Sequence, residues 1–534
     1  MKRFAIVGGG IAGLAAAYEL ELARKRGADI DWQLYEASNR LGGIVETTLT
    51  EGFVLEGGPD GWVTEKPWAR ELAIELGLEK DLITSNDDTR KTWIYIDGQL
   101  QPIPDRMRMM VPEDLTTLEG SPLFSQEARK AYATELTRAD ELRANSPDTD
   151  ESVASFVNRH FGEEVLTKIA APLLSGVFGG DVHKLSVRAV MPNFVTMERE
   201  HGSLIAALQA KAKTRGNKPQ QPIFTSLRNG LGSLVDALVA RLPADRLHLN
   251  RSAISLKREG KLWCLRYSTP TTKGSPGKGK RHFNHVLLAT PIDTTRTLLQ
   301  PLDPTAAELI PQDASSAILA AFAWPSETAA TFTIPPGFGF LVPATTDENC
   351  HPDPELAEGE GPASETSNNP GAPGPDSRTR VSTETTTPRI NTDPLLPTPY
   401  SLLPAPLLAA TFVDQKFPHR APANARILRA FFGGPSADAL SPQSDQAIAA
   451  AALEQLRKIL GPIPTPEAHR TTVNRWPRSL PQYEVGHIER IAELDAHIAT
   501  LGNLTLLGNG YRGVGLPDLI RDARAAARTL SPGA

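Results

Sequence analysis

The sequence predicts an α/β protein built on a Rossmann-like dinucleotide-binding domain, and three observations support this fold class. The chain has 534 residues, more than one hydrophobic core usually organises, so two or three domains are expected. Its first 36 residues follow the order strand, glycine turn, helix and strand of a βαβ unit. A second strand, glycine-rich turn and helix occupies residues 503–530, near the C-terminal end.

The composition is that of a globular protein and argues against nucleic acid as a partner. Hydrophobic residues make up 40% and charged residues 22% of the chain, and the formal net charge is -6 without a basic tail. No signal peptide and no run of about 20 apolar residues is recognisable. The two cysteines, Cys264 and Cys350, are too far apart for a disulfide framework. We therefore predict a cytoplasmic protein. Peripheral contact with the inner face of the plasma membrane is left open, because it needs only one exposed apolar surface.

The N-terminal unit is predicted to bind a dinucleotide. Residues 3–7 form a buried strand, 14–22 a helix and 31–36 a second strand. Between the first two, a G-x-G-x-x-G turn lets the backbone approach a pyrophosphate at the helix N-terminus. Glu36, which ends the second strand, is placed to accept hydrogen bonds from ribose hydroxyls. The residues predicted to surround this part of the ligand are Gly8, Gly9, Gly10, Ile11, Ala12, Gly13, Glu36 and Ala37.

A second pattern distinguishes FAD from NAD. Residues 36–43 read E-x-x-x-R-x-G-G, an extension that an NAD-binding unit does not need. The pattern resembles the second fingerprint of the flavoprotein family that includes amine oxidases, phytoene desaturases and protoporphyrinogen oxidases. This resemblance implies FAD as the cofactor, with Arg40, Gly42 and Gly43 along its diphosphate.

Later segments resemble one branch of that family along nearly the whole chain. The chain is identified as a member of the oxygen-dependent protoporphyrinogen oxidases, including the bacterial coproporphyrinogen III oxidases. The segments that carry the resemblance are 57–61 (GGPDG), 71–81 (ELAIELGLEKD), 172–186 (PLLSGVFGGDVHKLS), 198–204 (EREHGSL), 226–238 (SLRNGLGSLVDAL), 407–422 (LLAATFVDQKFPHRAP), 476–487 (WPRSLPQYEVGH) and 506–518 (LLGNGYRGVGLPD).

The resemblance also implies which residues meet the flavin. We expect contacts from Gly58, Pro59, Asp60, Gly61, Ala253, Trp476, Val514, Gly515 and Leu516. The alternative for Leu516 is that the last helix packs only for stability. We expect FAD to be bound without a covalent link. Related oxidases use a cysteine near the C-terminal flavin segment, whereas Cys264 and Cys350 lie far from it in sequence.

The implied activity is that of an FAD-dependent oxidase acting on CH–CH groups with O2 as acceptor. It would belong to heme biosynthesis, possible partners being other enzymes of that pathway. A porphyrinogen loses six electrons to become a porphyrin, so the flavin would be reduced and reoxidised three times, forming three H2O2. Because the substrate is already electron-rich, no catalytic acid or base is named, and no metal site is predicted. His160, His183, His419 and His487 are predicted to be structural or surface residues.

Two other function classes remain open. The same fold serves amine oxidases and carotenoid desaturases, and a flavin-binding protein need not be an enzyme. The motif that begins at Trp476 argues against the first class. The sequence does not separate protoporphyrinogen IX from coproporphyrinogen III as substrate. Where the family often has an arginine that contacts a substrate carboxylate, this chain has Thr92, preceded by Arg90 and Lys91. Where it often has a larger residue, this chain has Gly61.

The domain boundaries follow mainly from the resemblance. A discontinuous FAD-binding domain is predicted at 1–85, 222–300 and 465–534, and a mixed-sheet substrate domain at 86–111 and 301–464. A helical subdomain is predicted at 112–215. Residues 344–406, rich in Pro, Thr, Ser, Asn and acidic side chains, are predicted to be a disordered insertion in a surface loop. Residues 269–280 are predicted to be a flexible hairpin tip.

Overall fold

The structure is a computed structural model that describes residues 1–215, 221–269, 277–343 and 406–531. The predicted insertion therefore lies, apart from Pro406, outside the described residues.

A parallel sheet forms the centre of the part that is predicted to bind a dinucleotide, as the fold class predicts. Its strands come from three distant parts of the sequence and pair in parallel throughout. In spatial order, the five strands formed by described residues are Leu247–His248, Ile30–Tyr35, Lys2–Val7, His285–Leu288 and Leu504–Leu506.

Alternate residues of the first strand enter two different cores. Phe4 and Ile6 pack with the helices Ile11–Lys25 and Leu516–Leu530 on one face of the parallel sheet. Ala5 and Val7 pack on the other face. Parallel strands covered on both faces are continuous apolar runs, which explains why this strand shows no polar alternation.

The second face is covered by an antiparallel sheet and by helices. The sheet consists of Ala253–Glu259, Leu262–Thr269 and Gly277–Phe283. The helices are Ile292–Leu299, Pro304–Leu309 and His487–Leu501. The prediction of a flexible tip at 269–280 was too wide, because Thr269 pairs with Gly277 and residues 277–280 continue the ladder. Residues 270–276 lie outside the described part.

A mixed sheet forms the second main layer. Its seven described strands are, in spatial order, Thr471–Pro481, Ala314–Trp324, Arg426–Gly433, Ala409–Phe412, Gly339–Leu341, Thr92–Ile96 and Gln99–Pro102. Every neighbouring pair is antiparallel except Gly339–Leu341 with Thr92–Ile96. Residues 471–481, which the sequence assigned to the FAD-binding domain, thus hydrogen-bond at the edge of the mixed sheet.

The two faces of the mixed sheet differ in composition. One face carries large apolar residues that pack on the helices Gly434–Leu440 and Asp445–Leu460, including Phe322, Trp324 and Phe432. The opposite face carries Ala317, Leu319, Arg429, Asn474 and Trp476, which the registers place on neighbouring strands. Short sheets connect this layer to the parallel sheet; they contain Thr47–Thr50 with Phe53–Glu56, and Trp62–Val63, Phe224–Leu227 and Leu82–Thr84.

A helical region follows the short ribbon Met107–Arg108 with Val111–Pro112. Its helices are Gln126–Thr137, Ala139–Ala144, Val153–Phe161, Glu163–Val165, Ala171–Phe178, Val187–Val190, Pro192–His201 and Leu204–Arg215. They enclose a separate apolar core. The remaining α-helices of the described residues are Trp68–Glu75, Gly232–Val239, Ser326–Ala329 and Val413–Lys416. Nowhere in the described ranges does a helix reach the length and apolar character that crossing a membrane requires.

Candidate FAD site

The glycine turn joins the first strand to the helix Ile11–Lys25. Gly8 has φ +106°, and a Cβ there would lie 2.2 Å from the Ala289 carbonyl oxygen. A Cβ on Gly13 would lie 1.9 Å from the Gly8 carbonyl oxygen, so helix and strand approach too closely for a side chain. Ile11 and Ala12 begin the helix and are buried.

Gly10 differs from its neighbours because the space beside it is open. The nearest atom to a Cβ built there is the Gly43 Cα, at 3.9 Å. Gly10 is also the N-cap of the helix, and no side chain caps the free N–H groups. An uncapped helix N-terminus beside open space is suited to bind an anion such as a diphosphate.

Glu36 lies at the carboxyl end of the second parallel strand. Its Oε2 accepts a hydrogen bond from the Gly9 N–H (2.6 Å), and its Oε1 accepts one from the Ser38 N–H (2.8 Å). Each oxygen keeps acceptor capacity for a hydroxyl group. Ala37 is exposed. Ala253 begins a strand just after Arg251, whose N–H donates to the Glu36 carbonyl.

The second glycine pattern packs directly on the first. The Gly42 N–H donates to the Gly9 carbonyl (2.8 Å), and Gly42 and Gly43 both have positive φ, +108° and +59°. A Cβ on Gly43 would lie 3.1 Å from the Gly10 Cα. The two patterns, separated in sequence, therefore meet at the open space beside Gly10.

Arg40 is partly exposed and is held by its own loop. Its guanidinium donates to the Gly43 carbonyl (2.5 Å) and to Oε2 of Glu46 (3.0 Å). Asn474 Nδ2 donates to the same Glu46 oxygen (3.1 Å). Arg40 is thereby linked to the mixed sheet through one carboxylate.

Residues 57–61 run between the two layers. A Cβ on Gly58 would lie 1.9 Å from the Ile44 carbonyl oxygen, and one on Gly61 would lie 2.8 Å from the Thr225 carbonyl oxygen. The contact with Thr225 explains why this chain has glycine at 61. Pro59 lies between them and is half-buried.

Trp476 reaches this segment from the mixed sheet. Its Nε1–H donates to the Gly57 carbonyl (2.7 Å), and the Arg40 guanidinium lies 5.9 Å from its ring centroid. The indole therefore connects the 57–61 segment with the second glycine pattern. Among the described residues of this sheet face, four buried polar atoms have no hydrogen-bond partner: Oγ1 of Thr411, Oγ1 of Thr472, Oδ1 of Asn474 and Nε of Arg429. Buried polar atoms usually have a hydrogen-bond partner, so these atoms could bind the polar groups of a ligand that lies along this face.

The C-terminal glycine segment precedes the last helix. Gly515 is the N-cap of Leu516–Leu530, again without a side-chain cap, and Val514 is half-buried beside it. Leu516 is buried in the core shared with the helix Ile11–Lys25. Asp518 lies in the first turn, where Lys66 Nζ contacts its Oδ2 (2.6 Å).

Two aromatic side chains hold this segment in place. The Tyr483 hydroxyl donates to the Asn509 carbonyl (2.6 Å) and accepts from the Gly513 N–H (3.0 Å). His487 Nε2 contacts the Tyr511 carbonyl (2.9 Å). Burial lowers the pKa of His487 to about 4, so the ring is neutral at pH 7.

The other histidines singled out in the sequence lie outside this cleft. His160 is buried among the helices, with Nδ1 3.1 Å from Glu135 and Nε2 3.1 Å from Glu198. His183 and His419 are exposed. Arg90 pairs with Asp87 (3.8 Å) just before the strand that Thr92 begins, and Lys91 is exposed.

The sequence did not predict a buried charge cluster behind residues 57–61. We use this name for Glu56, Asp60, Lys416, Arg420 and Arg429. Arg420 contacts Glu56 (2.6 Å), Arg429 contacts Asp60 (3.2 Å), and Lys416 Nζ lies 3.0 Å from Asp60 Oδ1. Burial by itself would raise the pKa of Asp60, but Lys416 and Arg429, with Arg420, lower it to about 2. The Asp60 side chain, expected to meet the cofactor, is thus engaged by cations of the mixed-sheet layer.

Comparison with known proteins gives a consistent picture. Residues 11–383 and 394–531 match the family described as flavin containing amine oxidoreductase. The chain is 27% identical to the coproporphyrinogen III oxidase of Bacillus subtilis (strain 168) over 532 residues, covering 98% of this chain and 97% of that one. It is also 27% identical to the chloroplastic protoporphyrinogen oxidase 1 of Arabidopsis thaliana over 541 residues, covering 98% and 86% respectively.

A solved structure agrees with these relatives. The crystal structure of a protein from Exiguobacterium sp. 255-15, assigned there as a protoporphyrinogen oxidase, superposes with a TM-score of 0.74. The two chains are 27% identical, and the match covers 99% of this chain and 98% of the other.

Proposed function

The chain belongs to the flavin containing amine oxidoreductase family, and on this premise we propose that it is an FAD-dependent porphyrinogen oxidase. It converts coproporphyrinogen III to coproporphyrin III or protoporphyrinogen IX to protoporphyrin IX. The balanced reaction is one porphyrinogen with three O2 giving one porphyrin and three H2O2. The full-length likeness to curated porphyrinogen oxidases supports the substrate class.

The observation that carries the cofactor assignment is the junction of the two glycine patterns. The space beside Gly10 is open and lies at an uncapped helix N-terminus, which suits a diphosphate. In this proposal Glu36 accepts hydrogen bonds from the ribose hydroxyls, and Arg40 faces the diphosphate. Arg40 then exchanges part of its contact with Glu46 for phosphate oxygens.

The ring system belongs between the 57–61 segment and the C-terminal glycine segment. Gly58, Pro59 and Gly61 provide a surface without bulky side chains, and Trp476 fixes its position through the Gly57 carbonyl. The second uncapped helix N-terminus would meet the other end of the ring system, through Val514, Gly515 and Leu516. Bound FAD supplies a two-electron acceptor whose ring carries one more negative charge after hydride uptake unless a proton follows.

In this proposal the substrate lies on the face of the mixed sheet that carries Asn474 and Trp476. Thr411, Thr472 and Asn474 present polar atoms without a partner on that face, whereas the opposite face is filled by its own helices. No side chain is assigned as acid or base, because the bridge carbons of a porphyrinogen are already activated. The chain's task is to position the bridge carbon and exclude water.

The test supplies each porphyrinogen separately to the purified yellow protein. We expect porphyrin fluorescence to appear together with H2O2, and the flavin absorbance to bleach under anaerobic substrate and return in air. Bleaching by an amine or by a carotenoid precursor instead would support the other oxidoreductases of this fold. A yellow protein that none of these compounds bleaches would be a flavin-binding protein without this activity. Cytoplasmic location, peripheral membrane contact and contacts with other enzymes of heme synthesis stay predictions.

A further inference from the structure

The buried charge cluster carries one positive charge in excess. Three cations and two carboxylates give a formal charge of 3 − 2 = +1. The most exposed side chain among the five, Asp60, is 13% exposed, and Arg420 is fully buried. Burying an unbalanced charge is unfavourable unless another anion lies near it.

Among the described residues, the neighbouring carboxylates each have another cation as partner. Glu46 is paired with Arg40 (3.0 Å), Asp414 with Arg426 (3.9 Å) and Asp87 with Arg90 (3.8 Å). Within the cluster, Arg420 with Glu56 and Arg429 with Asp60 form two neutral pairs. Lys416 donates to both oxygens of the same Asp60 (3.0 and 3.1 Å), so Lys416 and Arg429 share one carboxylate, and removing Lys416 would leave two neutral arginine–carboxylate pairs.

The cluster is attached to the back of the 57–61 segment. Arg429 donates to the Gly58 carbonyl, and Arg420 donates to the Asp60 carbonyl (3.4 Å). Ser226 Oγ donates to that same Asp60 carbonyl (2.6 Å). These contacts hold the fixed charge directly behind the backbone that the proposed function places against the flavin ring.

We propose that the buried charge cluster is a counter-charge for the reduced flavin, and that Lys416 supplies it as a positioning residue that does not touch the substrate. The inference rests on the proposed function. In a buried site, a fixed positive charge favours the cofactor state that carries the additional negative charge, and so raises the midpoint potential. The porphyrinogen C–H bond still breaks toward the cofactor, and the pyrrole proton still leaves to solvent.

The test measures the two-electron midpoint potential of the FAD-loaded protein. Lys416→Met and Lys416→Gln, which leave two neutral pairs, should lower it by about 30 mV or more, a tenfold change in the equilibrium constant. Lys416→Arg keeps the positive charge, so its midpoint potential should stay near that of the unaltered protein. Arg475→Met is a matched control, because Arg475 lies on the other face of the same sheet and pairs with the exposed Asp445.

The outcomes separate this role from others. A potential that does not respond to either neutral substitution would overturn the proposal, as would an equal shift in Lys416→Arg. A raised KM with an unchanged potential would instead assign Lys416 to a substrate carboxylate. If Lys416→Met retains no FAD, the midpoint potential of Lys416→Gln alone decides whether the proposal holds. A chain that binds no FAD at all would overturn the proposed function, whereas an active oxidase with unshifted variants would overturn only this inference.

Discussion

The rings of Tyr483 and His487 stack face to face, with centroids 3.9 Å apart and an interplanar angle of 13°. Both side chains are buried, and both hydrogen-bond to the glycine segment that leads into the last helix. Only a neutral imidazole that carries its proton on Nε2 can donate to the Tyr511 carbonyl and remain uncharged in this site.

This pair predicts a loss of stability in mild acid. The pKa of His487 is lowered to about 4 by burial, whereas an unfolded histidine titrates near 6.5. Between these values the unfolded chain binds more protons, so the free energy of unfolding falls as pH decreases from about 6.5 to 4. The loss from His487 is about 3 kcal/mol at most.

The measurement is thermal or urea unfolding between pH 7 and pH 4. His487→Gln keeps an N–H donor without a titrating ring, so its stability should depend less steeply on pH. His285, whose pKa burial also lowers to about 4, should account for much of the remaining slope. Equal slopes in the unaltered chain and in His487→Gln would contradict the prediction.

Gly10→Leu should remove FAD without unfolding the chain. The position beside Gly10 is open, so a side chain fits the protein but occupies the proposed diphosphate site. We expect FAD binding to weaken by about 2 kcal/mol or more, roughly 30-fold, and the protein to purify colourless.

Gly13→Ala is the contrasting variant of the same turn. Its Cβ would meet the Gly8 carbonyl oxygen at 1.9 Å, so folding itself should suffer, by about 3 kcal/mol. Unfolding curves and flavin absorbance distinguish the two effects. A Gly10→Leu protein that stays yellow and active would refute the placement of the diphosphate.

Trp476→Ala should retain part of the FAD but lose turnover. The substitution removes the hydrogen bond to the Gly57 carbonyl and the contact with Arg40, while the diphosphate site stays intact. Trp476→Phe keeps an aromatic ring but not the N–H donor, so its turnover should lie between that of the unaltered protein and that of Trp476→Ala. Flavin content and porphyrin production are measured on the same preparations. Normal turnover in Trp476→Ala would show that the indole does not position the site.

His160→Leu should destabilise the helical region without changing the flavin. Glu135 and Glu198 would each lose one buried hydrogen-bond partner, which costs about 1 to 3 kcal/mol. His183→Leu is the control, because that ring is exposed and should change stability by only about 0.5 kcal/mol. Urea unfolding tests both. A His160→Leu protein as stable as the control would contradict the expected role.

FAD should be released by acid denaturation. Cys264 lies in the central strand of the antiparallel sheet, where it pairs with Lys257 on one side and His282 on the other, rather than in either glycine segment. The yellow colour should therefore stay in the supernatant after precipitation with acid. Colour retained in the pellet would indicate a covalent link through another residue.

The sequence by itself determined the dinucleotide-binding unit. Strand, glycine turn and helix are local in sequence, and the close contact of Gly13 with the Gly8 carbonyl lies within the turn itself, so the motif predicts its own local geometry. Residues 8–13 and 42–43 are joined by only one helix and one strand, Ile11–Lys25 and Ile30–Tyr35, so their contact is also close to local in sequence. The family resemblance predicted that later segments meet the flavin, but it did not predict their contacts with one another. Whether the predicted domain boundaries and FAD ligands are correct stays a prediction.

Only the tertiary structure decided what lies behind the flavin segment. Arg420 is 364 residues from Glu56, and Lys416 is 356 residues from Asp60, and no local pattern marks such pairs as partners. They meet because the strand Arg426–Gly433 and residues 413–420, which begin with the helix Val413–Lys416, contact residues 56–60. Likewise, the alternation Thr472, Asn474, Trp476 marks one face of a strand, but the register of the mixed sheet decides which face meets Gly57. Side-chain alternation is a local property, whereas the choice of partner depends on how distant elements pack.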